Sequence, residues 1–105
     1  MMAEQYRIPF DSLDWDSPMP GVRHKIALAG DLKLRLVEYT QQMAAHWCSV
    51  GHTGLILEGR LEIELDGGAQ VFAAGDGVVI PSGEAHRHKG RVLSDVVRAI
   101  FVEQA

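Results

Sequence analysis

The chain has 105 residues, 47% apolar and 23% charged, with a formal net charge of −4, which fits one small domain with a single core. No apolar run exceeds five residues, so no segment can cross a membrane as a helix. Ten Lys and Arg residues scattered along the chain leave no basic footprint for nucleic acid, and one cysteine excludes an internal disulfide framework. The first ten residues, MMAEQYRIPF, lack a basic start followed by a long apolar run, so a cytoplasmic protein is expected.

Residues 1–22 read as an N-terminal arm with little regular structure. Asp11, Asp14 and Asp16 alternate with turn formers, and Ser17, Pro18, Pro20 and Gly21 follow. Ile8 and Phe10 are its expected anchors. From Arg23 onward, over residues 23–105, the period is two. Leu32, Leu34 and Leu36 share one strand face, opposite Lys33, Arg35 and Val37. Gln41 to His46 has a helix-favouring composition, but its length and its flanks favour extended chain. Leu61, Ile63 and Leu65 alternate with Arg60, Glu62, Glu64 and Asp66, the pattern of an antiparallel strand with one wet face. Asp66-Gly67-Gly68 predicts a hairpin turn, Val71-Phe72 its return strand, and Gly75-Asp76-Gly77 a second turn before Val78-Val79-Ile80. Pro81-Ser82-Gly83 ends that strand, and a β-rich run from Val92 to Val102 follows. Short strands at this spacing predict an all-β sandwich or barrel.

Soft-metal donor types crowd into His46-Trp47-Cys48-Ser49-Val50-Gly51-His52. On extended chain, residues two apart share a face, so His46 and Cys48 point the same way. Gly51 permits a bend that returns His52 to them. Imidazole and thiolate suit Zn, Fe, Ni or Cu rather than Mg or Ca. A His and a Cys two apart also arise by chance, and a lone Cys is commonly a small core hydrophobe, so these residues alone leave both readings open.

The second half adds Gly75, Pro81, Gly83 and His86, spaced as Gly, five residues, Pro-x-Gly, two residues, His. With the first stretch and the closing Gly59, this resembles the cupin superfamily. In that family two His, a Glu and a final His hold one metal inside a small barrel. The resemblance spans about Lys33 to Val102. It implies an all-β, single-domain cupin barrel of the double-stranded β-helix or jelly-roll type, similar to RmlC. It also implies one divalent transition metal (Zn, Fe or Ni) on His46, Cys48, His52 and His86. The chain departs from the family pattern at four places. Thr40 and Gly90 stand where a Gly and an Asn are usual, Cys48 replaces a His, and His52 replaces the Glu. Both replacements at ligand positions can still bind metal. The His-Trp-Cys stretch further resembles a small cupin subgroup with an Asp-His-Trp-Cys sequence, although Ala45 stands at the Asp position.

Other residues carry weaker expectations. Glu38 continues the Leu32 face and would reach the cavity mouth if that face lines the barrel. His88 shares a strand face with His86, too far along for an obvious metal ligand, which leaves a supporting or pocket role open. His24 reads as a surface residue and Trp47 as outward-facing, against the arm or a second subunit. Arg87 and Arg98 could orient an anion, though solvated arginines are commoner, and Glu62 and Glu64 belong to a solvated face. The resemblance implies a small-molecule ligand and a homodimer formed through sheet edges and the Tyr6–Phe10 segment. No nucleic-acid or membrane partner is expected. Two functions follow: a metal-dependent oxygenase or isomerase, or a non-catalytic ligand- or metal-sensing module.

Overall fold

The alternating pattern folds into antiparallel strands throughout. The computed structural model describes residues 6–105, and residues 1–5, the start of the expected arm, lie outside the described residues. Among the described residues the strands are β1 (Asp16–Met19), β2 (Val22–Ala29), β3 (Leu32–Thr40), β4 (His52–Glu58), β5 (Arg60–Leu65), β6 (Gly68–Ala73), β7 (Gly77–Ile80), β8 (Lys89–Val92) and β9 (Val96–Gln104). Short 3-10 turns cover Phe10–Ser12 and Glu84–His86. One sheet has the order β1-β2-β3-β9-β4-β7 and the other β6-β5-β8. This is the all-β architecture that the spacing of strands and turns predicts. Gln41 to His46 is turn and irregular chain, without helix.

The core lies between the two sheets. The smaller one contributes Leu61, Ile63 and Val92, which pack with Val37, Ile56, Val78, Val97, Ala99 and Phe101 of the larger. Leu61 and Ile63 are buried while Glu62 and Glu64 face out, paired with Arg91 and Lys89. Gly59 joins β4 to β5 at φ +86°, and a Cβ there would meet the Val96 carbonyl oxygen at 2.0 Å. Only glycine satisfies both demands.

On β3 the buried face is the one opposite to the leucines. Register pairs Val37 with Ala99 and Tyr39 with Val97, and all four are buried. Leu32 is 50% exposed, and Leu34 and Leu36 are half-buried on the outer surface. The arm lies along that surface. Lys25 Nζ donates to the Phe10 carbonyl oxygen at 2.7 Å, and Trp15 lies beneath the Arg23 guanidinium (4.1 Å) and the Lys25 ammonium (4.7 Å). The arm also carries regular structure, because β1 pairs with β2 and covers that edge of the larger sheet.

This face assignment moves Glu38 away from the cavity. It is buried on the outer side of β3, where it accepts from Arg23 Nε at 2.8 Å and from Arg98. Burial alone would raise its carboxyl, but the hydrogen bonds from Arg23 and Arg98 outweigh that and hold it below the usual carboxylate range.

Candidate metal and ligand site

At one end of the barrel the apolar packing opens into a cavity of about 340 Å³. Its polar wall has two parts, one of imidazole and thiol, the other of charged side chains.

The first part rests on a single backbone bridge. Segment 41–51 leaves β3 without regular structure, and Cys48 is its fixed point. Cys48 N donates to the His88 carbonyl oxygen at 2.8 Å, and His88 N donates back to Cys48 at 2.9 Å. Such a pair sends both side chains to one face. His52 opens β4, and its ring stands edge-on to His88 with centroids 5.0 Å apart. His46, Cys48, His52 and His88 all line the cavity.

His86 does not join them. It ends the 3-10 turn that follows Gly83 (φ +125°), is exposed, and lies outside the cavity lining. The turn delivers His88 to the wall two residues later. His88 is buried, in the pocket role that its spacing had left open. Trp47 is partly exposed on the outside, with Arg87 (4.6 Å) and Lys89 (4.8 Å) over its ring rather than the arm. Arg87 also pairs with Asp66, and Arg98 with Glu38, so neither faces the cavity.

The second part was missed by motif reading. Lys33 lies directly across the β3–β9 ladder from Glu103, and Arg35 lies two residues along the same face. Glu103 is buried and accepts from His52 Nδ1 at 2.6 Å and from Arg35 at 3.3 Å, with Lys33 Nζ at 3.7 Å. Burial alone would raise this carboxyl, but the His52 hydrogen bond and the Arg35 charge outweigh it, so Glu103 is a carboxylate at neutral pH. His24, expected at the surface, lines the cavity and accepts from Arg35 Nε at 2.9 Å at its Nδ1. Burial and then the Arg35 charge lower its pKa, consistent with that accepting role. The available signal was the alternation of Lys33, Arg35, Val37 and Tyr39, which places two basic side chains on the inner face.

The family pattern of the Cupin domain matches residues 36–102. The chain belongs to the cupin domain family. The match takes in both motif stretches, from His46 to Gly59 and from Gly75 to His86, but does not bear on the subgroup with the Asp-His-Trp-Cys sequence. Among solved structures, this cupin is similar to KdgF from Halomonas sp., with 24% identity, a TM-score of 0.75, and 90% of this chain and 91% of that chain covered. It is also similar to an RmlC-like cupin from Shewanella frigidimarina (14% identity, TM-score 0.73, 96% and 92% covered). A cupin-superfamily sugar phosphate isomerase from Silicibacter pomeroyi is a third (17% identity, TM-score 0.71, 94% and 75% covered). At these identities the likeness speaks for the fold alone. No curated protein matches the chain. Among the described residues no helix is long and apolar enough to cross a membrane.

The donor set of this cupin suits a metal in its chemistry. His46 Nδ1 is 3.1 Å from the Ala44 carbonyl oxygen, His88 Nδ1 is 3.1 Å from that of His86, and His52 Nδ1 faces the Glu103 carboxylate. Those oxygens only accept, so each Nδ1 carries the proton, and in the neutral ring the lone pair is then on Nε2. This is how metal-binding imidazoles are oriented. His88 Nε2 is buried with no hydrogen-bond partner among the described residues. Burial, together with the charges of His52 and His46, lowers the His88 pKa against its own backbone hydrogen bond, which favours the neutral ligand form. In arrangement the fit is incomplete. Among the described residues no three His, Cys, Asp or Glu side chains stand close enough together to form a ready metal centre.

Proposed function

We propose that this cupin binds one divalent transition metal, Zn, Fe or Ni, in its cavity through His46, Cys48, His52 and His88, and acts on a small molecule there as an oxygenase or isomerase. The unpartnered Nε2 of buried His88 carries this reading. A buried imidazole nitrogen without a partner costs about 1–3 kcal/mol, which a ligated ion removes. A bound metal would supply Lewis acidity or dioxygen chemistry. The chain's own residues orient the imidazoles, through Glu103 at His52 and backbone carbonyls at His46 and His88. His88 takes the place that motif spacing assigned to His86.

A second reading is a non-catalytic ligand- or metal-sensing module. What favours it is that Glu103, the carboxylate of the described cavity wall, is engaged by His52, Arg35 and Lys33. Glu38, expected at the cavity mouth, is outside the cavity.

Elemental analysis of the purified protein, with the metal's X-ray absorption spectrum, tests the metal reading. His88→Ala should lose most of the metal and His86→Ala should retain it. The reverse result would restore His86 as the ligand, and metal loss in neither would end the reading.

The same proposal includes a homodimer. Val102, Leu55 and Val79 lie on the outer face of the larger sheet with Leu32, and all are exposed. A second copy would cover them. Light scattering at micromolar concentration should give twice the mass of one chain.

A further inference from the structure

The charged wall of the cavity is unbalanced. Lys33 and Arg35 bring two cationic side chains, and Glu103 brings one carboxylate. Both cations are largely shielded, with side chains 26% and 12% exposed. His24, the nearest neighbour of Arg35, offers it a lone pair rather than a charge. The remaining titratable side chains of the lining are His46, Cys48, His52, His88 and Tyr39, and none adds a second carboxylate. The rest is apolar, with Val22, Leu61, Ile63 and Phe101 among it. A surplus positive charge in such a setting is costly without a counter-charge.

A purely structural role does not account for two cations. One, together with His52, would already satisfy a buried carboxylate. Lys33 sits 3.7 Å from Glu103, beyond a good hydrogen bond, so its ammonium donors remain available. The cavity volume lies at the lower end of those of small-molecule sites.

We propose that Lys33 and Arg35 seat an oxyanion, a carboxylate or phosphate, carried by the small molecule that enters the cavity, with Glu103 tempering their charge. This rests on the cavity being the ligand site, but not on a metal being present. An anion anchored at Lys33 and Arg35 would leave the remainder of the molecule facing His52 and its neighbours, because Glu103 touches both groups.

Glycerol 3-phosphate, glycerate and glycerol share a backbone and differ in their charged group. Calorimetric titration of chelator-treated protein with each isolates the contribution of the side chains. The phosphate, the carboxylate or both should bind at least tenfold tighter than glycerol, and the tighter of the two names the source. Lys33→Gln should weaken that binding roughly tenfold, the loss of one charge-assisted hydrogen bond. Glu103→Gln should strengthen it, because both cations are then unpaired. That variant separates anion binding from a role in merely holding Glu103. Equal affinity for all three compounds overturns the proposal. So does unchanged anion binding in Lys33→Gln, the more exposed site, should the Glu103 variant fold poorly. Zinc uptake, measured by titrating zinc back into the same preparations after the chelator is removed, separates the two readings. Zinc uptake without anion binding overturns this proposal alone. Anion binding without zinc uptake supports it and counts against the metal.

Discussion

Cys48 and His88 hold one another across a single antiparallel bridge, with reciprocal backbone hydrogen bonds of 2.8 and 2.9 Å. Thiol and imidazole are therefore neighbours by virtue of the main chain, whatever occupies the cavity. If both ligate an ion, the thiol is held as thiolate and shielded from electrophiles. Alkylation of Cys48 should then be slow in metal-loaded protein and faster after chelation, as mass spectrometry of iodoacetamide-treated samples can follow. Metal uptake at pH 7 should also release a proton. Equal rates with and without metal would leave a three-histidine site.

The centre of β4 has no room for a side chain at Gly54. A Cβ there would meet the Ile100 carbonyl oxygen at 1.9 Å, and that atom is backbone on β9. Gly54→Ala should separate β4 from β9 and cost at least about 2–3 kcal/mol in urea denaturation. Gly67→Ala is the control, since a Cβ there meets nothing within 4 Å.

Acid sensitivity should have an identifiable component at Glu38. Its folded carboxyl titrates below the usual 4.5, so between that value and the folded one the unfolded chain binds more protons. The stabilisation is complete above about pH 4.5 and is lost as pH falls through the folded value. Glu38→Gln should flatten this part of the stability profile without abolishing it, because Glu103 behaves alike. At pH 7 the cost should be about 1 kcal/mol, since both arginines are substantially exposed. An unchanged acid slope would contradict the assignment.

Phe101 links core and cavity. It is 2% exposed, and its ring lies 4.9 Å from that of His52. Phe101→Ala should cost about 3–5 kcal/mol. Phe101→Leu should retain most of the stability yet loosen His52, visible as faster exchange of the His52 Nδ1 proton by NMR.

Much of this architecture was legible in the sequence, because period-two alternation and glycine turns are local signals. Leu61 and Ile63 point inward and the turn at Gly68 falls where expected. The leucines of β3 misled for a physical reason. Their face lies under the arm and on the open side of the larger sheet, while the opposite face supplies a cavity that Lys33 and Arg35 line. Apolar patterning cannot distinguish a covered outer surface from a core. Glu103 was invisible for a different reason. It becomes meaningful only through cross-strand neighbours 51 and 68 residues away, His52 and Arg35. That His88 rather than His86 lines the cavity follows from a 3-10 turn that motif spacing does not encode.

Strand order also determines when the cavity can exist. β9 follows every other described strand in the chain, yet it lies in the interior of the larger sheet, between β3 and β4. It carries both Phe101 and Glu103. A growing polypeptide emerging from the ribosome would therefore display β3 and β4 as unjoined edges until β9 had followed them. His52 would lack its carboxylate partner throughout. The cavity wall is thus complete only once β9 has inserted, and the exposed interval before that is when the nascent chain most needs protection from its own kind.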